Sequence, residues 1–311
     1  EGTFGVVYKA RDRTTGEVVA SKQGKLENTT EGFPVTALRE INVLLRLRHA
    51  HIVSVREMVV GSTMDKIFMV MDFMAHDIKE LMGVMRQPFT ASEVKRLLLD
   101  LCSALSYMHG QWVLHRDLKT SNLLMDNCGR VAIADFGLAR AYSDPLRPYT
   151  PLVVTLWYRS PELLLGCKTY GPEVDVWSLG CIFAELITGE PLVPGRGELN
   201  QLDSIFKLLG TPSEERWPGV SELPDWKKMQ FQPQPFNRLR ERFKRGVSFT
   251  SESAISDAGL DLMSQMLSMD PRCRITAEAS VKHPYFAELP PPKAHQLMPT
   301  WPSSHGRGAR N

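Results

Sequence analysis

The apolar positions of this chain change period along its length. Glu1-Gly2-Thr3-Phe4-Gly5-Val6-Val7-Tyr8 combines glycines with an alternating, β-branched strand, and after a Thr15-Gly16 turn Glu17-Val18-Val19-Ala20-Ser21-Lys22 reads as a second strand. From Gly32 to Leu47 the spacing turns helical: Leu38, Ile41, Leu44 and Leu45 recur on one face, and Pro34 is tolerated in the first turn. Ile67-Phe68-Met69-Val70-Met71 is a short apolar strand ending at Asp72-Phe73-Met74. Thr90-Ala91-Ser92-Glu93 then has capping-box spacing and opens a helix whose face is Val94, Leu97, Leu98, Leu101, Leu105 and Met108. Asp175 to Gly189 reads as a buried central helix with Gly189 as its C-cap, and Leu260, Met263, Met266 and Leu267 read as ordinary helix core.

One interruption carries chemistry. The charged octet His115-Arg116-Asp117-Leu118-Lys119-Thr120-Ser121-Asn122 lies between the apolar Trp112-Val113-Leu114 and Leu123-Leu124-Met125. Such an octet should form a loop held rigidly at the wall of a cleft. It offers a carboxylate that could accept a hydroxyl proton, a lysine that could meet a phosphate, and an amide that could hold a metal. Phosphoryl transfer to a hydroxyl needs those three, because its catalysis is mostly positioning and charge stabilisation. His-Arg-Asp alone would equally describe a helix end with solvated charges. After a turn at Asn127-Cys128-Gly129, the strand Val131-Ala132-Ile133 runs into Ala134-Asp135-Phe136-Gly137 and would deliver a second carboxylate into the same cleft.

Composition narrows the picture. The 311 residues suit two modest domains or one two-lobed fold. Lys+Arg 37 against Asp+Glu 35 leaves a charge of +2, so no global field points to nucleic acid or membrane. The five cysteines are widely spaced without a zinc or disulfide pattern, which fits a reducing compartment. The apolar run from Val176 to Ile187 is too short for a membrane span and carries Glu185.

The octet resembles the catalytic loop of eukaryotic protein kinases, and Asp135-Phe136-Gly137 resembles their metal-binding motif, a short hairpin later. Kinases carry Gly-x-Gly-x-x-Gly-x-Val where this chain has Gly2 and Gly5, residues that would also suit a hairpin turn. The chain therefore opens inside the motif, and the preceding strand is expected to be missing from it. Ser160-Pro161-Glu162 resembles Ala-Pro-Glu. Pro34-Val35-Thr36-Ala37-Leu38-Arg39-Glu40 is similar to the Pro-Ile-Thr-Ser-Leu-Arg-Glu helix of one cyclin-dependent branch. The resemblance runs to about Trp301 and is identified with the cyclin-dependent serine/threonine kinases, PITSLRE branch.

The resemblance implies an α+β fold of two lobes: 1–74 as a small β-rich lobe and 75–289 as a larger helical lobe with an insert at about 212–250. Residues 290–311 are expected to form an extended, partly disordered tail. ATP and Mg²⁺ are the implied cofactors. Asp117 would act as base, Lys119 would balance charge on the moving phosphoryl group, and Thr155 would hydrogen-bond Asp117. Asn122 and Asp135 would hold Mg²⁺. Gly2, Gly5, Val7, Ala20, Met71, Asp72, Met74 and Leu124 would line the nucleotide site, with Asp77 at the ribose. Lys22 would hold phosphates and pair with Glu40, although Ser21, polar where the family is aliphatic, should loosen its strand. His115 reads as packed scaffold, Asp175 as a helix cap or a partner of the loop's backbone, and Arg274 as the partner of Glu162.

Control is implied as well. Thr150 falls at the activating phosphosite, with Arg39, Arg116 and Arg140 as guanidinium partners. Val153 and Val154 resemble the pocket that favours proline after the phosphoacceptor. The implied partners are a cyclin at the Pro34–Glu40 helix, protein substrates with Ser/Thr-Pro, and an upstream activating kinase, with no membrane and no direct nucleic acid. Phe4 replaces the tyrosine that carries an inhibitory phosphate in many relatives. Placement would be intracellular, the nucleus first and the cytoplasm second. Two other readings stay open: a catalytically weak pseudokinase scaffold, or a proline-directed kinase that needs no cyclin.

Overall fold

A computed structural model describes residues 4–24, 41, 44–61, 67–85, 87–142, 155–245 and 254–299. Strands β1 (Phe4–Arg11) and β2 (Val18–Gly24) form a hairpin. Asp12 shapes its turn: Oδ1 accepts from the amides of Thr14 (2.7 Å) and Thr15 (3.0 Å). With β3 (Val55–Val60) and β4 (Ile67–Asp72) they make an antiparallel sheet of order β1-β2-β4-β3. The register sets Val7 opposite Lys22 and Ala20 opposite Met71, so these four side chains share one face. Ser21 pairs with Tyr8 on one side and Val70 on the other, and β2 runs through it without a break.

Helices dominate the rest. A three-stranded sheet of β5 (His76–Asp77), β7 (Leu123–Met125) and β8 (Val131–Ile133) lies beside α1 (Ile78–Val84) and α2 (Ala91–Gly110). β6 (Val113–Leu114) pairs with β9 (Arg140–Ala141). The capping box of α2 forms: Thr90 N–H donates to Glu93 Oε2 (2.8 Å), and Glu93 N–H donates to Thr90 Oγ1 (3.4 Å). All six apolar residues predicted for its face are buried. Burying each Val, Leu or Met contributes about 1.5–3 kcal/mol, which fixes α2 as the spine of this lobe. The central helix α3 (Glu173–Thr188) is apolar around most of its circumference and ends at Gly189, whose φ of 75° allows its N–H to reach Glu185 O.

One expectation is corrected. Leu45, placed on the inward face of the first helix, is 44% exposed, whereas Ile41, Leu44 and Leu47 are buried. Of the tail, residues 290–295 are fastened to α2, while 300–311 lie outside the described residues. Lys293 N–H donates to Ser92 O (2.9 Å), Ser92 Oγ donates to Pro291 O (2.6 Å), and the buried Lys95 ammonium donates to Glu288 O and Pro290 O. Met298 ends the strap against Gly129, whose φ of 80° and missing side chain are both required: a Cβ there would lie 2.2 Å from Met298 Cβ. The described part of the insert carries short turns at Val220–Glu222 and Trp226–Lys228 and a one-turn helix at Leu239–Arg242. Within its basic stretch Leu239 and Phe243 are buried and Arg240 pairs with Asp257.

Candidate active site

The octet is a loop, and its backbone is held by a carboxylate from another element. Asp175, fully buried near the start of α3, accepts from His115 N–H (2.9 Å) and Arg116 N–H (2.8 Å) as well as from His109 Nε2 (3.1 Å). Burial alone would raise its pKa; the His109 bond and charge, the charge of His115 and the Arg116 amide outweigh that, holding it below the ordinary carboxylate value. Arg116 sits at φ 69° and Asp135 at φ 61°, a region that non-glycine residues avoid at a cost of about 1–3 kcal/mol each. Strain of that size persists only where surrounding bonds over-determine the backbone, and here they do.

Further bonds tie the octet to Asp135. Ala134, the residue before it, donates its N–H to Asn122 O (2.9 Å), while its carbonyl meets His115 Nε2 (3.1 Å). His115 also accepts from Asp117 N–H through Nδ1 (3.2 Å) and packs edge-on against Phe136. It is scaffold, with no exposed surface. Beneath the loop, Thr120 Oγ1 donates to Glu185 Oε1 (3.0 Å) and Tyr158 OH to Glu185 Oε2 (2.6 Å). Glu185 entered the sequence reading only as an obstacle to membrane insertion. A carboxylate inside an apolar helix is costly unless paired, and that signal could have marked it as a support of the loop.

Asp117 is buried and unevenly used. Its Oδ2 accepts from Lys119 Nζ (2.8 Å) and Asn122 Nδ2 (3.2 Å), while its Oδ1, also buried, has no hydrogen-bond partner. The expected bond from Thr155 is therefore not made; Thr155 instead precedes the turn Leu156–Tyr158. Asn122 Nδ2 donates to Asp117 O (2.7 Å) as well, so its amide presents the oxygen on its other side. That oxygen and the Asp135 carboxylate are hard donors of the type Mg²⁺ takes, so the residues present fit such an ion.

Across the lobes Lys22 Nζ approaches Asp135 Oδ1 at 3.4 Å. Burial would raise the Asp135 pKa, but the charges of Lys22, His115 and Lys119 together with the Lys22 hydrogen bond leave it lowered, so it is ionised at neutral pH. Met71 and Leu124 pack on one apolar cluster with Val53, Met74, Ala132 and Ala134, which unites three of the residues expected around an adenine. Asp72 spends its N–H on Ser54 O (3.2 Å) and its Oδ1 on Arg56 Nε (2.9 Å), so that amide does not serve a base. Asp77 caps α1, its Oδ1 accepting from Glu80 N–H (3.0 Å), and burial pushes its pKa up.

Glu162 and Arg274 form the predicted pair, bidentate and buried at 2.7 and 3.0 Å. Arg116 donates to Leu138 O (2.8 Å) and Tyr170 OH (3.0 Å). Gly2, Pro34, Arg39, Glu40, Thr150, Val153 and Val154 lie outside the described residues, so the expected Lys22–Glu40 pair, cyclin helix and phosphosite do too.

A model of the protein kinase domain matches residues 1–286. The chain belongs to the protein kinase domain family, in its cyclin-dependent branch of the PITSLRE type. It is 55% identical over 303 residues to cyclin-dependent kinase G-2 of Oryza sativa subsp. indica, covering 97% of this chain and 42% of that protein. To cyclin-dependent kinase 11B of Homo sapiens it is 54% identical, covering 97% of this chain and 37% of that one. To cyclin-dependent kinase 11 of Dictyostelium discoideum it is 50% identical, covering 98% and 83% respectively. The chain thus spans about two-fifths of the length of the rice and human proteins.

Proposed function

We propose that this chain is the catalytic domain of a cyclin-dependent serine/threonine kinase that transfers the γ-phosphate of ATP to Ser/Thr hydroxyls followed by proline. The observation that carries the reading is the orphaned Oδ1 of Asp117. A buried carboxylate oxygen without a donor costs about 1–3 kcal/mol or more, and a substrate hydroxyl would supply that donor. Asp117 accepts the hydroxyl's hydrogen bond and orients its oxygen. Lys119, already on Asp117, is placed to balance charge on the transferring group. Asn122 and Asp135 would hold Mg²⁺, which when bound supplies charge neutralisation between the phosphates. Lys22 reaches the same carboxylate from the other lobe. The unbroken pairing of β2 through Ser21 supports the catalytic reading over a scaffold, which Ser21 and the shortened glycine loop motivate.

Cyclin binding at Pro34–Glu40 and activation by phosphate on Thr150, added by an upstream kinase, are part of the proposal; the cyclin-dependent kinases that this chain is similar to support a cyclin partner. An intracellular, nuclear place of action accompanies it, and among the described residues no helix is long and apolar enough to cross a membrane. The test is transfer of labelled phosphate from ATP to a Ser-Pro peptide by the full-length protein, with and without candidate cyclins. Cyclin-stimulated transfer that falls for an Ala-Pro or Ser-Ala peptide is the expected result. No transfer with any cyclin, by protein that binds ATP and folds normally, would return the scaffold reading.

A further inference from the structure

Three segments distant in sequence meet beside α2: the loop carrying His51, α2 itself at Asp100, and the fastened tail at His295. His51 Nδ1 lies 2.9 Å from Val131 O. A carbonyl can only accept, so Nδ1 carries the hydrogen, and in the neutral ring Nε2 holds the lone pair. That nitrogen is 3.4 Å from Asp100 Oδ1, a contact that either a proton or a metal ion between the two atoms would satisfy. His295 Nε2 lies 2.8 Å from Asp100 Oδ2, and the three donor atoms are all within 4.8 Å of one another. With the metal–ligand bonds of about 2.0–2.1 Å that zinc makes, a tetrahedron has edges of about 3.3 Å, so the 3.4 Å and 2.8 Å contacts lie near that edge and the donors, within 4.8 Å of one another, would draw together on binding.

We propose that His51, Asp100 and His295 bind one divalent transition-metal ion of the zinc class, separate from the oxygen-only Mg²⁺ site. The Val131 carbonyl behind His51 is the outer hydrogen bond that orients metal-binding imidazoles. His49 does not join the set: its Nδ1 accepts from His51 N–H (3.1 Å) and its Nε2 meets Ser103 Oγ (3.2 Å). Arg96 Nε, 3.6 Å from Asp100 Oδ1, repels a dication there, so affinity falls below that of a closed four-ligand site. The fourth position is left to water. Binding displaces the proton shared by His295 and Asp100 and clasps the tail to the loop at His51.

The experiment titrates the chelator-treated full-length protein with Zn²⁺, and with Co²⁺ as a spectroscopic probe, in excess Mg²⁺. One ion per chain is expected, with the visible absorption of tetrahedral Co²⁺ and a raised melting temperature. His295→Ala, in the peripheral strap, should keep the wild-type circular dichroism and weaken binding about a hundredfold, and Asp100→Asn should do the same. Equal affinity in wild type and His295→Ala would place the ion elsewhere, on a cysteine for instance, and overturn the proposal. So would the absence of stoichiometric binding by wild type, which would leave the cluster as a hydrogen-bonded clasp only.

Discussion

The octet His115–Asn122 and the strand carrying Lys22 bring charge to the same carboxylate, Asp135, and they are held in different ways. The octet is met by groups from other elements along its length: Asp175 on two amides, Glu185 on the Thr120 hydroxyl, and Ala134 on the Asn122 carbonyl and the His115 ring. His115, Arg116, Asp117 and Asn122 are all buried. The sheet above is thinly covered. Val7 and Tyr8 are 54% and 47% exposed, and along β3 only Val55 is fully buried. One half of the site is over-determined by its lobe; the other rests on a sheet whose outer surface is open.

Perturbing the fixed half at Asp117, the proposed base, should have the largest effect. Asp117→Asn removes the orphaned acceptor charge and should lower kcat by about a hundredfold to ten-thousandfold in the peptide assay, with the melting temperature nearly unchanged. Glu162→Ala strands Arg274 in a buried site and should cost about 3–5 kcal/mol in denaturant unfolding, the loss typical of a broken buried ion pair. Loss of less than 1 kcal/mol would show that this lobe is not over-determined.

Acid sharpens the contrast. Asp175 and Asp135 both titrate below the ordinary 3.8 when folded, so the stability they contribute is present above 3.8 and drains as pH falls through their folded values. Urea unfolding followed downward from pH 5 should lose stability more steeply in wild type than in Asp175→Asn. The smallest change belongs to the open half. Lys22→Met should abolish most phosphate transfer yet move stability by no more than about 1 kcal/mol, because its pair with Asp135 is partly exposed.

Short-range pattern made much of this legible. The capping box of α2, the cap at Gly189 and the Ala134–Gly137 corner depend on neighbours a few residues apart, and sequence period reads those well. Glu162–Arg274 and Asp175 with the octet were legible through resemblance, since 112 and about 60 residues separate the partners. Thr155 failed for the opposite reason: resemblance suggested a bond that Asp117 does not make, its donors being Lys119 and Asn122. The anchoring of the chain around Pro290 was not legible: the carbonyls of Glu288 and Pro290 find Lys95, and no local pattern tells a helix lysine that it will be buried.

Amide hydrogen exchange tests the central contrast most directly, because it reads the free energy of opening bond by bond. The amides of His115 and Arg116, bonded to Asp175, should exchange only through global unfolding, while those of β1 and β2 should exchange at least about a hundredfold faster through local opening. Equal protection in the loop and the two strands would contradict the account.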